Sequence, residues 1–192
     1  MKKEDLRIKK TKQAIRSAFN DMICEMDYNE ITVKELAARA QINRKTFYLH
    51  YESIDALMEE LEREIIDAYL NLDVSYANFS DIKSLIRFYF EHAAKLSKVH
   101  ERIFCCASYR GIFEKINREI MDGRRKKNKG IFKNDIYYEN IIYTYYGSIT
   151  SILYRQWVED GKRLSLDEII ELSTNLICYG MSSVYTQNKE HS

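Results

Sequence analysis

The sequence predicts an all-α protein, and three observations carry that expectation. The 192 residues include no proline and only 6 glycines, too few turn formers for a β-protein of this size. Apolar side chains recur at spacings of three, four and seven, as they do on helices with one buried stripe. Ser, Thr, Asn or Asp precedes several of these stretches, twice with Glu three residues on, which marks helix starts. A composition of 45% hydrophobic and 31% charged residues supplies a core and lies outside the range of disordered chains.

Taken in order, Ile8, Ile15, Ala18, Phe19, Met22 and Ile23 place one stripe on a helix over 6–26, which Asp27-Tyr28-Asn29-Glu30 breaks. Thr32 and Glu35 form a capping-box pattern ahead of a short helix with Val33, Leu36, Ala37 and Ala40 inside. Gln41-Ile42 is a tight link, and Asn43 caps a third helix that ends near His50. Two helices of one to two turns around a minimal turn have the shape of a helix-turn-helix. Ser53 starts a longer helix to about Leu72, with Ile54, Leu57, Met58, Leu61, Ile65, Ala68 and Tyr69 on one side. Asn78 to Asp81 restart a helix bearing Ile82, Leu85, Ile86, Tyr89, Phe90 and Ala93. A break is expected near Lys98 to His100, then a helix over roughly Tyr109 to Met121.

The run 123–134 holds six bases and no acid. It reads as a solvated loop between helices or as a second nucleic-acid patch. Residues 135–159 form a strong helix with Ile142, Tyr145, Tyr146, Ile149, Ile152, Leu153 and Trp157. Gly161 suits a C-cap, and Ser165 with Glu168 forms a second capping box. The last helix carries Ile169, Leu172, Ser173, Leu176, Ile177, Gly180 and Val184 on one side.

Charge is uneven. Residues 1–50 hold 11 Lys/Arg against 7 Asp/Glu, and the rest 19 against 22. A basic head on a mildly acidic body fits a polyanion partner for the head. The start, MKKEDLRIKK, has no apolar segment after it, and no run approaches the ~18 apolar residues of a membrane span. Cys24, Cys105, Cys106 and Cys178 form no CxxC pair. A cytoplasmic protein with reduced thiols is expected, with no membrane association, cofactor or metal. His100 beside Cys105 and Cys106 is the one grouping reminiscent of a metal or redox site, and adjacent cysteines are awkward joint ligands. Neither a nucleophile–base arrangement nor a phosphate-cradling glycine loop occurs, so an enzyme is not expected.

The stretch Asn43–Tyr51, NRKTFYLHY, crowds bases and aromatics. With its flanks, ITVKELAARAQINRKTFYLHYESIDAL resembles the N-terminal DNA-binding domain of the TetR/AcrR family of bacterial helix-turn-helix transcriptional regulators. Leu36-Ala37, Ala40, Ile42, Thr46-Phe47-Tyr48, His50-Tyr51, Ser53 and Leu57 carry the likeness, over about residues 10–60. Two departures stand out: Gln41 replaces the usual turn glycine, and Ile54 replaces a common lysine. The resemblance implies a DNA-binding domain over 1–52 and a helical ligand-sensing and dimerisation domain over 53–192. It implies that Phe47 and Tyr51 close the small core. Thr32, Thr46, Tyr48 and His50 would then contact phosphates, and Gln41, Arg44 and Lys45 would lie nearest the base edges, where Gln suits adenine and Arg or Lys suits guanine. Lys9, Lys10 and Lys12 would reach the backbone or stay solvated.

A reader with one short helix needs two copies, so a homodimer on a palindromic double-stranded DNA operator is expected. The last two helices offer Ile149, Ile152, Ser173, Leu176, Ile177, Gly180 and Val184 for that interface, or else complete the monomer's own core. Twelve of 15 tyrosines follow residue 51. Tyr89, Phe90, Phe104, Tyr109, Phe113, Tyr143, Tyr146 and Trp157 are candidates to line a pocket for a small-molecule effector, or serve as core aromatics. The function expected is a ligand-responsive regulator, most often a repressor. The alternative is an adaptor or co-activator of the same fold that acts through a protein partner.

Overall fold

A computed structural model describes residues 3–72, 81–127 and 135–180. Among these residues the chain is helical, with no strand. They pack as two compact units.

The first unit comprises residues 1–67 and 97–116. It opens with α1 (Lys3–Glu25), which buries Ile15, Ala18, Phe19, Met22 and Ile23, the stripe expected from spacing. A 3-10 turn at Tyr28–Glu30 leads to α2 (Val33–Arg39) and α3 (Arg44–Tyr48). Thr32 caps α2 by accepting from the Glu35 amide, and Asn43 caps α3 by accepting from the Lys45 amide. Leu36 and Phe47 are fully buried and Tyr51 nearly so, so these short helices hold by packing rather than by length. The head of α4 (Ile54–Asn71) adds Leu57, Met58, Leu61 and Ile65.

The unit also contains an element that spacing did not reveal, α6 (Lys98–Cys105). Lys98 to His100, expected as a break, is its first turn. Ser97 accepts from the His100 amide, and Ile103 and Phe104 reach the core. Its polar first turn hid a helix only two turns long. A 3-10 turn, Ala107–Tyr109, follows. Tyr109 is fully buried, and its hydroxyl donates to the carbonyls of Met26 (3.0 Å) and Ile23 (3.4 Å), serving carbonyls at the end of α1 that the helix leaves without partners.

The second unit comprises residues 68–96 and 117–192. It holds the end of α4, α5 (Ile82–Ala93), the end of α7 (Arg110–Lys127), α8 (Ile136–Glu159) and α9 (Leu166–Tyr179). α5 packs on α8 and α9. Buried tyrosines on α8 satisfy backbone carbonyls of α5: Tyr146 donates to Leu85 (3.1 Å) and Tyr154 to Ala93 (2.9 Å). Gly147 lets α8 approach α7, since a Cβ there would lie 3.2 Å from Met121 Cγ and Sδ.

Two further expectations are corrected here. α7 does not stop at Met121 but runs to Lys127, so Arg124, Arg125, Lys126 and Lys127 are helical. Bases in a last turn suit the negative end of the helix dipole. The remainder of the basic run, 128–134, lies outside the described residues. α9 ends at Tyr179, and Gly180, at φ 73°, closes it rather than sitting within it. Val184 lies outside the described residues.

Candidate nucleic-acid interface

The turn between α2 and α3 is built on Gln41 in the left-handed region, at φ 54°. The Gln41 amide bonds to Ala38 O (3.1 Å) and the Ile42 amide to Ala37 O (2.9 Å). These two bonds define a Schellman closure, in which the C′ residue is left-handed and most often glycine. The departure at position 41 therefore leaves the turn's geometry intact and adds a steric cost.

The turn sets α3 with Phe47 inward and its other sides outward. Gln41, Arg44, Lys45 and Tyr48 are exposed, while Thr46 and His50 are partly buried. The Tyr48 ring meets Phe47 edge-on at 5.5 Å, which anchors it with its ring half in solvent. Thr32 is exposed at the start of α2, and Lys9 and Lys10 are exposed along α1.

Cations in this unit fall into two groups. Arg16 is bound to Glu60 (3.0 Å) and to Glu64, Arg39 to Glu25 (2.5 Å) and Glu35 (2.8 Å), and Lys12 to Glu60 (3.7 Å). Lys12 also lies over the Tyr51 ring, 5.3 Å from its centroid. Arg44 and Lys45 enter no ion pair among the described residues. The structure thus commits Arg16, Arg39 and Lys12 to internal carboxylates and leaves the bases of α3 available to an external anion. Leu49 was not singled out from sequence. It is 81% exposed at the end of α3, where an apolar side chain next to buried Phe47 gave no sign of pointing outward.

The effector candidates fall into separate groups. Phe104, Tyr109 and Phe113 are buried in the first unit, with Phe104 and Phe113 at 5.2 Å between ring centroids. In the second unit, Phe90, Tyr154 and Trp157 form one cluster, and the Trp157 indole donates to Leu164 O (2.8 Å). Tyr89, Tyr143 and Tyr146 lie on α5 and α8 of the same unit.

The interface candidates also divide. Ser173 is fully buried within its own unit, whereas Ile149, Leu176, Ile177 and Gly180 are partly exposed and Ile152 is 56% exposed. Ile152 belongs to a longer outward stripe on α8 with Tyr138, Ile141 and Tyr145. Spacings of three, four and seven put these on one face. Among the described residues no group of three His, Cys, Asp or Glu side chains could hold a metal ion, and no helix is long and apolar enough to cross a membrane.

Two short helices around a tight turn, the second presenting cations with no ion pair among the described residues, have the geometry of a helix-turn-helix. Residues 20–61 match the family described as bacterial regulatory proteins, tetR family. The chain is 34% identical over 84 residues to the uncharacterized HTH-type transcriptional regulator YxbF of Bacillus subtilis (strain 168), a match covering 41% of this chain and 22% of that protein. Similar solved structures include a TetR transcriptional regulator from Streptococcus agalactiae 2603V (TM-score 0.68, 20% identity, 91% of this chain and 97% of that one). NalD of Pseudomonas aeruginosa, the secondary repressor of the MexAB-OprM multidrug efflux pump, is another (0.66, 14%, 91% and 96%). Thermus thermophilus FadR, a TetR-family repressor in complex with lauroyl-CoA, is a third (0.54, 16%, 88% and 94%). At these identities the structural likeness is one of fold. Residues 20–61 thus carry a domain of the tetR family of bacterial regulatory proteins, and the chain as a whole shares the fold of TetR regulators.

Proposed function

We propose that the protein is a homodimeric repressor that reads a palindromic operator and loses DNA affinity when a small molecule binds its second unit. The observation that supports the DNA reading is that Arg44 and Lys45, beside exposed Gln41, enter no ion pair among the described residues, in a unit whose Arg16, Arg39 and Lys12 are paired internally. Thr32, Thr46, Tyr48 and His50 surround them as phosphate contacts, with Lys9 and Lys10 as outlying ones. Direct base contacts from so short a helix cover few base pairs, and two copies double the site.

The outward stripe of α8, with Ile149, Leu176 and Ile177 beside it, is the surface assigned to the dimer. In this reading residues 1–52 are the DNA-reading head of a cytoplasmic protein and the sensing function lies within 53–192, while the two compact units divide differently, with 53–67 and 97–116 packed in the first. Binding of lauroyl-CoA by the Thermus FadR supports a small-molecule effector in a body of this fold. An effector acts only through its preference for the state that does not bind DNA.

The test is fluorescence anisotropy on the DNA upstream of the protein's own gene, at several salt concentrations and with excess nonspecific competitor. Tight binding that survives competitor and weakens steeply with salt is expected. Binding erased by competitor on this fragment and on a randomised operator library would refute sequence-specific reading.

A further inference from the structure

Among the described residues of the second unit, one largely enclosed cation meets no carboxylate. Arg124 lies in the last turns of α7. Its Nε is inaccessible to solvent and has no hydrogen-bond partner, and neither terminal nitrogen bonds to a carboxylate among the described residues. The neighbouring acid, Asp122, is engaged by Arg125 at 2.8 Å. Packing forces this burial. A Cβ at Gly123 would lie 2.6 Å from Leu70 Cδ2, so the glycine brings α7 against the end of α4. Lys127 donates to Leu70 O one turn on. Gly147 brings α8 against α7 from another side.

Four phenols and the His92 imidazole lie within the field of the guanidinium. Tyr146, Tyr69, Tyr143 and Tyr89, from α8, α4 and α5, are the groups that act on its charge. Tyr143 and Tyr146 are buried. Burial lowers the Arg124 pKa and raises that of Tyr69 to about 12, so the cluster carries one positive charge and neutral phenols. Arg124 as a whole is partly buried, with its Nε enclosed; enclosing a cation without a carboxylate is costly, and charge-assisted bonds to a planar anion offset that cost.

We propose that Arg124 is the anion-recognising group of the effector site, and that the effector is an amphiphilic monocarboxylate. This rests on the effector-controlled reading given above. The guanidinium presents a fork that fits a carboxylate, and tyrosine rings offer apolar faces to the rest of the molecule. One cation neutralises one anion. A phosphate dianion would leave net negative charge among the phenols, so a monoanion fits better.

The experiment uses the full-length protein and four probes: decanoate, benzoate, decanol and decyl phosphate. Calorimetry gives affinity, and thermal denaturation gives a second readout. The carboxylates should bind at least ten-fold tighter than decanol, and decanoate tighter than decyl phosphate. Arg124→Gln should lose at least ten-fold in decanoate affinity, with Arg124→Lys between the two. Arg124→Met should melt higher than the parent without ligand, because it removes an unanswered charge; a lower melting point would show that the charge is already compensated and count against the proposal. Equal binding of decanol and carboxylates, absence of carboxylate binding, or unchanged affinity in Arg124→Gln overturns it. Decyl phosphate binding tighter than decanoate overturns the monoanion assignment. Anisotropy on operator DNA separates the two readings: carboxylate binding without DNA release keeps the site and rejects effector control, while release by neutral compounds alone does the reverse.

Discussion

Lys115 Nζ lies 2.6 Å from Oε2 of Glu62, a carboxylate that α4 carries into the interior of the first unit. Glu62 is 5% exposed, whereas the Lys115 side chain is about half exposed. The pair is therefore asymmetric: the acid depends on the base more than the base on the acid. Lys115→Met should cost about 2 kcal/mol in urea denaturation, because it strands a buried charge. Glu62→Met with Lys115→Met should recover most of that loss. A single variant as stable as the parent would show that the carboxylate is solvated.

Gln41 gives a prediction of opposite sign. A non-glycine residue in the left-handed region costs roughly 1–2 kcal/mol, and glycine's extra unfolded-state freedom offsets part of any gain. Gln41→Gly should stabilise the protein by about 0.5–1 kcal/mol, readable as a rise of a few degrees in melting temperature. If it also weakens operator binding, position 41 carries base contacts as well as the turn. A fall in stability would mean that the Gln side chain supports the turn in some other way.

Arg44→Ala should lower operator affinity by about 1–3 kcal/mol while changing nonspecific binding much less. Competition anisotropy on matched operator and scrambled duplexes measures both. An equal loss on the two would make Arg44 a phosphate contact only.

The α8 stripe sets the dimer test. Ile141→Glu with Tyr145→Glu places two charges on side chains that are 69% and 52% exposed in the monomer. The fold should survive, and light scattering should report monomers with lost operator binding. Dimers of unchanged mass would move the interface elsewhere. Ser173 is unsuited to this test, since a large residue at a fully buried position would unfold the second unit instead.

Burial holds the His100 pKa below its ordinary value of 6.5, against an opposing pull from Glu64. The unfolded chain titrates near that ordinary value. Stability is thus fully present above about pH 6.5 and falls as pH drops below it, because the unfolded chain takes up a proton that the folded state refuses. His92 is shifted in the same direction, by burial first and then by Lys95 and Arg124. Melting temperature should fall between pH 7 and pH 5.5, and His100→Gln should flatten that fall. An unchanged pH profile in the variant would assign the effect to other groups.

Local signals in the sequence determined the helices of the head and their caps. Thr32, Asn43 and Ser165 announce helix starts because a side-chain oxygen can answer an amide two or three residues on, which requires no distant partner. The inward placement of Phe47 and Tyr51 was legible through the family resemblance, and both side chains are buried. Other features depend on residues far apart in the chain, and only the tertiary structure decided them. Gln41 adopts the left-handed turn because the packing of α2 on α3 outweighs its steric cost. Arg39 and Arg44 are both arginines of the head, yet one is bound to Glu25 and Glu35 and the other is not. Within a basic run that reads as solvated, Arg124 is drawn in among tyrosines because Gly123 and Gly147 let two other helices close on α7. Periodicity shows which face of a helix is apolar, but what meets that face, and which charges find partners there, is settled by packing alone.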